Sequence, residues 1–388
     1  MKIKHLFEKD LPLNSPGSNA VVNFEGLKTS VVAIESDLVR DGKPLTGYGF
    51  GSIGRWSVGG LLTDRFFPRL VNAPAQELVD ESGWIDPFRC WRIAMANEKP
   101  GGHGERAVAM GAIDMALWDL RAKAEDIPLW KLLANRYRNG VADEKVAVYA
   151  AGGYYTDANS EQSIKDEMRR YRDMGYTAAK IKIGAAPLAQ DMKRIDAAIS
   201  VLGSPGALAV DANGRFDVKT ALEYGRSLDG AGLRWFEEPG DPLDFRLQAI
   251  LAEELGIPLA TGENLFSSSE ARNLLRYAGM RSDRDILQFD CSLSYGLPDY
   301  LKTLDALSAH GWSRRSVHPH GGHQMSLNLA AGLGLGGNES YPGVFQPLGG
   351  FADHIAIEDG FVRLHDTPGV GLELKAALWG FLKDMTRR

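Results

Sequence analysis

The chain has 388 residues, 44% of them hydrophobic and 24% charged, and a formal net charge of −6. That length exceeds the ~250 residues of a bare α/β barrel and leaves room for a second domain of roughly a hundred. Long basic runs are lacking, which argues against a nucleic-acid or polybasic membrane surface. Two cysteines, Cys90 and Cys291, are too few for a disulfide framework. The opening MKIKHLFEKDLPLN has no apolar core of signal-peptide length, and no apolar run reaches membrane-spanning length, so a cytoplasmic chain with no membrane partner is expected.

In chain order, residues 30–51 read SVVAIESDLVRDGKPLTGYGFG. An alternating strand through Val32 and Ile34, a turn at Asp41-Gly42 and a glycine-rich return predict a hairpin. Between Glu105 and Lys123, Ala109, Ile113, Ala116, Leu117 and Leu120 recur at helical spacing and predict a long helix with one buried face. Residues 1–140 are therefore expected to form an α+β domain that ends near Asn139-Gly140. A barrel domain over 141–345 and a C-terminal segment over 346–388 that packs back on the first domain complete the expected organisation.

In the central stretch, short apolar runs end one after another in a single polar residue. AAKIKIG contributes Lys182, ALAVDANG Asp211, RWFEEP Glu237, PLATGEN Glu263, ILQFD Asp290 and RRSVHPHGG His320, spaced 29, 26, 26, 27 and 30 residues apart. Each gap holds a strand, a helix and two loops, so consecutive units predict a parallel barrel whose strand ends converge on one mouth. Asp211, Glu237 and Glu263 then present three oxygen ligands without cysteine or imidazole, which suits a hard cation such as Mg²⁺. Lys180 and Lys182, two apart on a strand, are expected to point together into the mouth, where two ammonium groups near a cation lower a lysine pKa toward that of a useful base. Asp290 next to His320 fixes an imidazole tautomer and makes an acid or base poised near neutral pH. His318, His323 and His103 are assigned to packing.

The ordered set KIK, DAN, EEP, GEN, QFD and HPH resembles the enolase superfamily of the mandelate racemase type. VVAIESD with TGYG, AIDMALWDLRAKA with PLWKLL, and PGVGLEL resemble that family's capping-domain patterns. The resemblance implies a modified TIM barrel of (β/α)7β type under an α+β capping domain, with Asp211, Glu237 and Glu263 as Mg²⁺ ligands. Glu237 is preferred over Glu238 because the family's ligand is the first glutamate of EEP. It further implies Lys182 and His320 on opposite faces of a small-molecule acid substrate, Asp290 orienting His320, and a homo-oligomer. Phe50 stands where many members carry a glutamate, so the capping-domain contacts do not carry over.

Such a set supports either a dehydratase or a racemase. The tracts NEKPGGHGERAVAMGAIDMALWDLRAK and VHPHGGHQMSLNLAAGLGLGGNESYP are most similar to those of the D-tartrate dehydratases. This similarity implies α-proton removal by Lys182, departure of a β-hydroxyl assisted by His320, and oxaloacetate as product. A racemase and a dehydratase of longer sugar acids are the alternatives. A dicarboxylate needs a second cationic anchor, for which Lys99 before Pro100-Gly101-Gly102 is the candidate. Glu339, Asn213 and Tyr155 are further candidate substrate contacts, and Asn19, Asn23 and Arg55 are candidates in the loops expected to cover the mouth. A metal-dependent hydrolase with His318-Pro319-His320 as a metal pair, and a ligand-binding barrel without catalysis, are the rivals from other classes.

Overall fold

The computed structural model describes residues 1–15, 17–156 and 161–387. The first domain is built on an antiparallel sheet of β1 (Ile3–Pro12), β2 (Lys28–Arg40) and β3 (Lys43–Phe50), in that order. The β2–β3 turn has φ of 51° at Asp41 and 73° at Gly42, the two positive values that a tight hairpin turn of this kind requires. Helix Glu105–Ala124 lies across β3, and the alternating glycines of TGYGF allow it to come close. A Cβ on Gly47 would stand 2.1 Å from the Ala116 carbonyl oxygen, and one on Gly49 2.2 Å from that of Ala112.

The sequence predicts one buried face for this helix, but the structure buries nearly all of it, from Ala107 through Ala124. The reason is its position between β3 and the barrel loop after Asp290, where a Cβ on Gly111 would meet the Ser292 carbonyl oxygen at 2.1 Å. Its two aspartates are buried and cap backbone groups. Asp114 accepts from Leu297 N at 2.7 Å, and Asp119 accepts from Tyr48 N at 2.8 Å and Val370 N at 2.7 Å.

The second domain is a parallel barrel. Strands β4 (Lys145–Gly152), β5 (Ala179–Lys182), β6 (Leu208–Asp211), β7 (Phe236–Glu237), β8 (Leu259–Thr261) and β9 (Ile286–Leu287) pair in sequence order. The seventh position is reduced to a bridge between Leu287 and Val317, and β10 (Asn338–Ser340) closes the ring on β4. Among the described residues seven helices, from Glu161–Asp173 to Gln324–Leu333, alternate with these strands, and the chain after β10 leads into loops instead of an eighth. This is the (β/α)7β arrangement.

The C-terminal segment serves both domains. A short hairpin of β11 (Ile357–Glu358) and β12 (Phe361–Arg363) adds antiparallel to the start of β4, with Val362 opposite Val146. Helix Ala376–Met385 then lies near β1, with Trp379 edge-on to Tyr48 at 6.3 Å and Lys9 over the Phe381 ring. Cys90 and Cys291 are buried free thiols. Among the described residues no helix is long and apolar enough to cross a membrane.

The glycine contact generates a stability test. Gly49→Ala is expected to lower the midpoint of urea unfolding by the equivalent of about 1–3 kcal/mol, the usual cost of forcing atoms into a packed contact. Gly60→Ala, where an added Cβ meets nothing within 4 Å in a helical turn, is the control and should leave the midpoint unchanged or raise it slightly.

Candidate metal and acid–base site

Register places the first three functional residues. Lys182 pairs with Asp211, and Asp211 with Glu237, so these side chains share the inner face of the barrel. Glu263 follows β8 on the left-handed Gly262, Asp290 lies just past β9, and His320 just past Val317. Asp211, Glu237 and Glu263 each offer an oxygen, and the three atoms lie within 4.8 Å of one another. Burial and the neighbouring Asp211 carboxylate push the Glu237 carboxyl up to about 8. Burial opposes ionisation of Asp211 as well, but Lys182 and Lys180 outweigh it and hold that carboxyl below its usual range. Three carboxylates crowded within reach of one ion, with no softer donor among them, fit Mg²⁺.

Glu237 is fixed on all sides. One oxygen takes the Lys180 ammonium, and the other accepts from Trp235 Nε1 at 2.8 Å and Gln288 Nε2 at 2.7 Å. Glu238 instead adopts φ of 37° and turns to the cavity, where both its oxygens accept from Asn264 Nδ2 at 2.9 and 2.8 Å.

Among the protein's own groups, the balance at the two lysines runs opposite to the lowering expected beside a cation. Burial acts to lower both, but Lys180 sits against Glu237, Glu339 and Asp211, and Lys182 donates to Asp211 at 2.5 Å. These carboxylates outweigh burial and raise both ammonium groups above their ordinary value.

At the other end of the cluster, His320 Nε2 is 3.8 Å from Glu263, and its Nδ1 is 3.0 Å from Asp290 Oδ2. Burial opposes the imidazolium, yet Glu263 and Asp290 raise the His320 pKa above normal. Asp290 is itself held by Ser292 N at 2.7 Å and by the hydroxyl of Ser52 at 2.5 Å. Ser52 comes from the capping domain, is fully buried and adopts φ of 51°. His318 faces the rings of Trp235 and Tyr149, at 5.8 and 6.5 Å, and burial lowers its pKa to about 3. It packs beneath the mouth and forms no metal pair with His320. His323 caps helix Gln324–Leu333 and stands edge-on to Phe50.

A cavity of about 150 Å³ opens above this cluster. Lys182, Asn213, Glu238, Glu263, Asn264, His320, Tyr154, Tyr341 and Phe345 line it from the barrel, and Asn19, Val21, Val22, Phe24, Ile53 and Arg55 line it from the capping domain. Asn213 is at the mouth as expected. Its N and Nδ2 donate to Asp211, and its Oδ1 is buried without a partner among the described residues.

Four expected substrate contacts lie elsewhere. Lys99 lines a different groove, between the capping domain and the barrel, with Trp91, Arg92 and Lys302. Its loop is drawn there because the adjacent Glu98 collects Arg65, Arg69 and Arg106 at 2.6, 2.8 and 3.2 Å. Tyr155 turns away to donate to buried Asp191 at 2.6 Å under the Arg194 guanidinium, and its neighbour Tyr154 faces the cavity instead. Glu339 is wholly buried below the cavity, linking Lys180 at 2.8 Å to Gly321 N at 3.2 Å. Asn23 lies outside the cavity beside Tyr155.

Sequence reasoning missed Ser52, Tyr154, Tyr341 and Trp235. Only Trp235, next to the EEP acids, stood beside a motif that could have drawn attention to it.

The comparisons with known proteins agree with this architecture. The family model described as enolase C-terminal domain-like matches residues 163–378, and that of the mandelate racemase / muconate lactonizing enzyme N-terminal domain matches residues 22–134. L-talarate/galactarate dehydratase of Salmonella typhimurium is 30% identical over 94% of this chain and 86% of its own. Arabinonate dehydratase of Saccharolobus solfataricus is 31% identical over 70% of this chain and 72% of its own. The crystal structure of L-talarate dehydratase from Polaromonas sp. JS666, complexed with Mg and L-glucarate, superposes with a TM-score of 0.76 at 27% identity, covering 96% of this chain and 95% of that one. With both of its domains matched and its acidic triad at the barrel mouth, the chain belongs to the mandelate racemase / muconate lactonizing enzyme family of the enolase superfamily.

Proposed function

We propose that this chain is a Mg²⁺-dependent hydro-lyase that removes water from an acid sugar, with the four-carbon hydroxy diacid D-tartrate as substrate and oxaloacetate as product. The observation that carries the reaction type is the pair of proton-transfer groups at the two ends of the carboxylate cluster. Lys182 is at Asp211, His320 is at Glu263, and both open into the same cavity. The dehydratase names of the two relatives support it. The volume of about 150 Å³ favours a short substrate, since pockets for drug-sized ligands run to ~300–1,000 Å³.

Asp211, Glu237 and Glu263 would hold Mg²⁺, whose positive charge would stabilise the negative charge that develops on proton removal and would offset the Asp211 charge that otherwise holds the Lys182 proton. Lys182 Nζ takes the proton from the carbon α to that carboxylate. His320, with Nδ1 held by Asp290, presents Nε2 to the β-hydroxyl and gives it a proton as its C–O bond breaks and water leaves. A carbon–carbon double bond forms, and the enol product tautomerises to the 2-keto acid. Tyr154, Tyr341 and Phe345 exclude water around the reacting carbons.

A second reading is favoured by the relatives: galactarate is a six-carbon diacid and arabinonate a five-carbon monoacid, so a longer sugar acid is the competing substrate. NMR of the protein with Mg²⁺ in D₂O, against tartrate stereoisomers and C5–C6 sugar acids, separates the two. A keto acid from D-tartrate alone supports the first, a keto acid from a longer acid the second, and α-deuteration without water loss points to a racemase.

Lys182→Ala and His320→Asn should each lower kcat by about 10²–10⁴, the usual contribution of a positioned acid or base, while calorimetry still detects Mg²⁺ binding. Loss of metal binding in either variant would contradict these roles. Glu263→Gln removes one ligand charge and should shrink the rise in Tm that Mg²⁺ produces; an undiminished rise excludes Glu263 as a ligand.

A further inference from the structure

We infer that Arg55 receives the second carboxylate of the substrate and makes this site select diacids over monoacids of equal length. The inference rests on the dehydratase reading above. Among the described residues lining the cavity, the cationic side chains are Lys182, His320 and Arg55. The first two are paired with Asp211 and with Asp290 and Glu263, whereas Arg55 has no carboxylate partner among the described residues.

Its guanidinium is nevertheless held in place. Nη1 donates to the Gly54 carbonyl at 2.9 Å, Nη2 donates to Asn264 Oδ1, and the group lies 5.2 Å from the centre of the Phe266 ring. Nε and the remaining Nη hydrogens are left for a ligand. A planar donor fork fixed by an amide and an aromatic face, with no counter-ion of its own, is preorganised for a carboxylate.

The distance to the metal triad suits a short chain. Asn264 reaches Arg55 with its oxygen, while its Nδ2 lies 3.5 Å from Glu263 and donates to Glu238. One side-chain amide therefore separates the guanidinium from a metal-ligating carboxylate. A diacid with one carboxylate at the triad and the other at Arg55 bridges about that span. The need for a cation there is electrostatic. Glu238 and Glu263 repel a second carboxylate, and Phe24, Tyr154, Tyr341 and Phe345 offer it no charge, so without Arg55 it would be desolvated unpaired. Arg55 thus takes the role that the sequence assigned to Lys99.

The test uses the full chain with Mg²⁺ and two pairs of acids, D-tartrate with the four-carbon aldonates and galactarate with galactonate. The quantity read is the ratio of kcat/KM for diacid to that for monoacid. Arg55→Met keeps an unbranched side chain but removes the guanidinium, and should lower the ratio about 100-fold, mainly through KM, as expected for removing one partner of a desolvated charge pair. Arg55→Lys should recover part of the loss. A ratio unchanged in Arg55→Met overturns the inference.

If the wild-type protein dehydrates none of these acids, the dehydratase reading fails by itself. Calorimetric titration of the same acids into Mg²⁺-loaded Lys182→Ala protein, with and without Arg55→Met, then decides the role of Arg55. A diacid preference that disappears with Arg55 supports the inference. Absence of diacid binding, or a preference that survives the substitution, overturns it.

Discussion

Two lysines and four carboxylates meet at one end of the barrel, almost entirely out of water: Lys180, Lys182, Asp211, Glu237, Glu263 and Glu339. Isolated charges at that depth would be prohibitively costly, so each must be balanced at close range. The lysines neutralise half of the negative charge if all six groups are counted as ionised, and two charges remain. Burial first, and the neighbouring carboxylates after it, raise the pKa of Glu237. A divalent cation has the complementary charge and the three oxygens to hold it, so the same imbalance that strains the protein alone specifies its cofactor.

Much of the remaining structure keeps this cluster in place. Trp235 and Gln288 fix Glu237 from below, and Glu339 ties Lys180 to the loop that carries His320. From above, helix Glu105–Ala124 is wedged between the capping sheet and the loop after Asp290, with Asp114 bonded to that loop at Leu297. Asp119 joins the same helix to β3 and to the C-terminal segment, where Lys123 reaches Glu373. The two domains therefore share buried polar contacts, which tie geometry at the barrel mouth to the seating of the cap.

The barrel and its acid and base residues were legible in the sequence because a strand end recurs with a fixed period and each unit delivers one polar residue inward. Lys182, Asp211, Glu237, Glu263, Asp290 and His320 all follow from that period. Residues outside it were not legible. Lys99 and Tyr155 read as mouth residues by position along the chain, but Glu98 and Asp191 are stronger local partners and draw them, or the loops that carry them, elsewhere. The opposing pull on the lysines was not legible, because KIK shows the two lysines side by side while the acids that face them come from other strands. The further buried faces of helix Glu105–Ala124 were missed for a related reason: its small residues Gly111 and Ala112 carry little hydrophobic signal yet permit close contacts.

Ser52 is the point where the cap reaches the acid–base machinery itself. Its hydroxyl occupies the same Asp290 oxygen that holds His320, and it does so from a left-handed backbone position at the end of the capping hairpin. The capping domain is thus more than a lid whose loops choose a substrate. A chimera that joined this barrel to a relative's cap would exchange the group bonded to Asp290 along with the specificity loops. On the roles proposed for Asp290 and His320, swapping whole domains would alter the proton-transfer site along with the substrate range, whereas changes confined to the loop tips around Val21 and Arg55 would leave the Ser52–Asp290 bond in place.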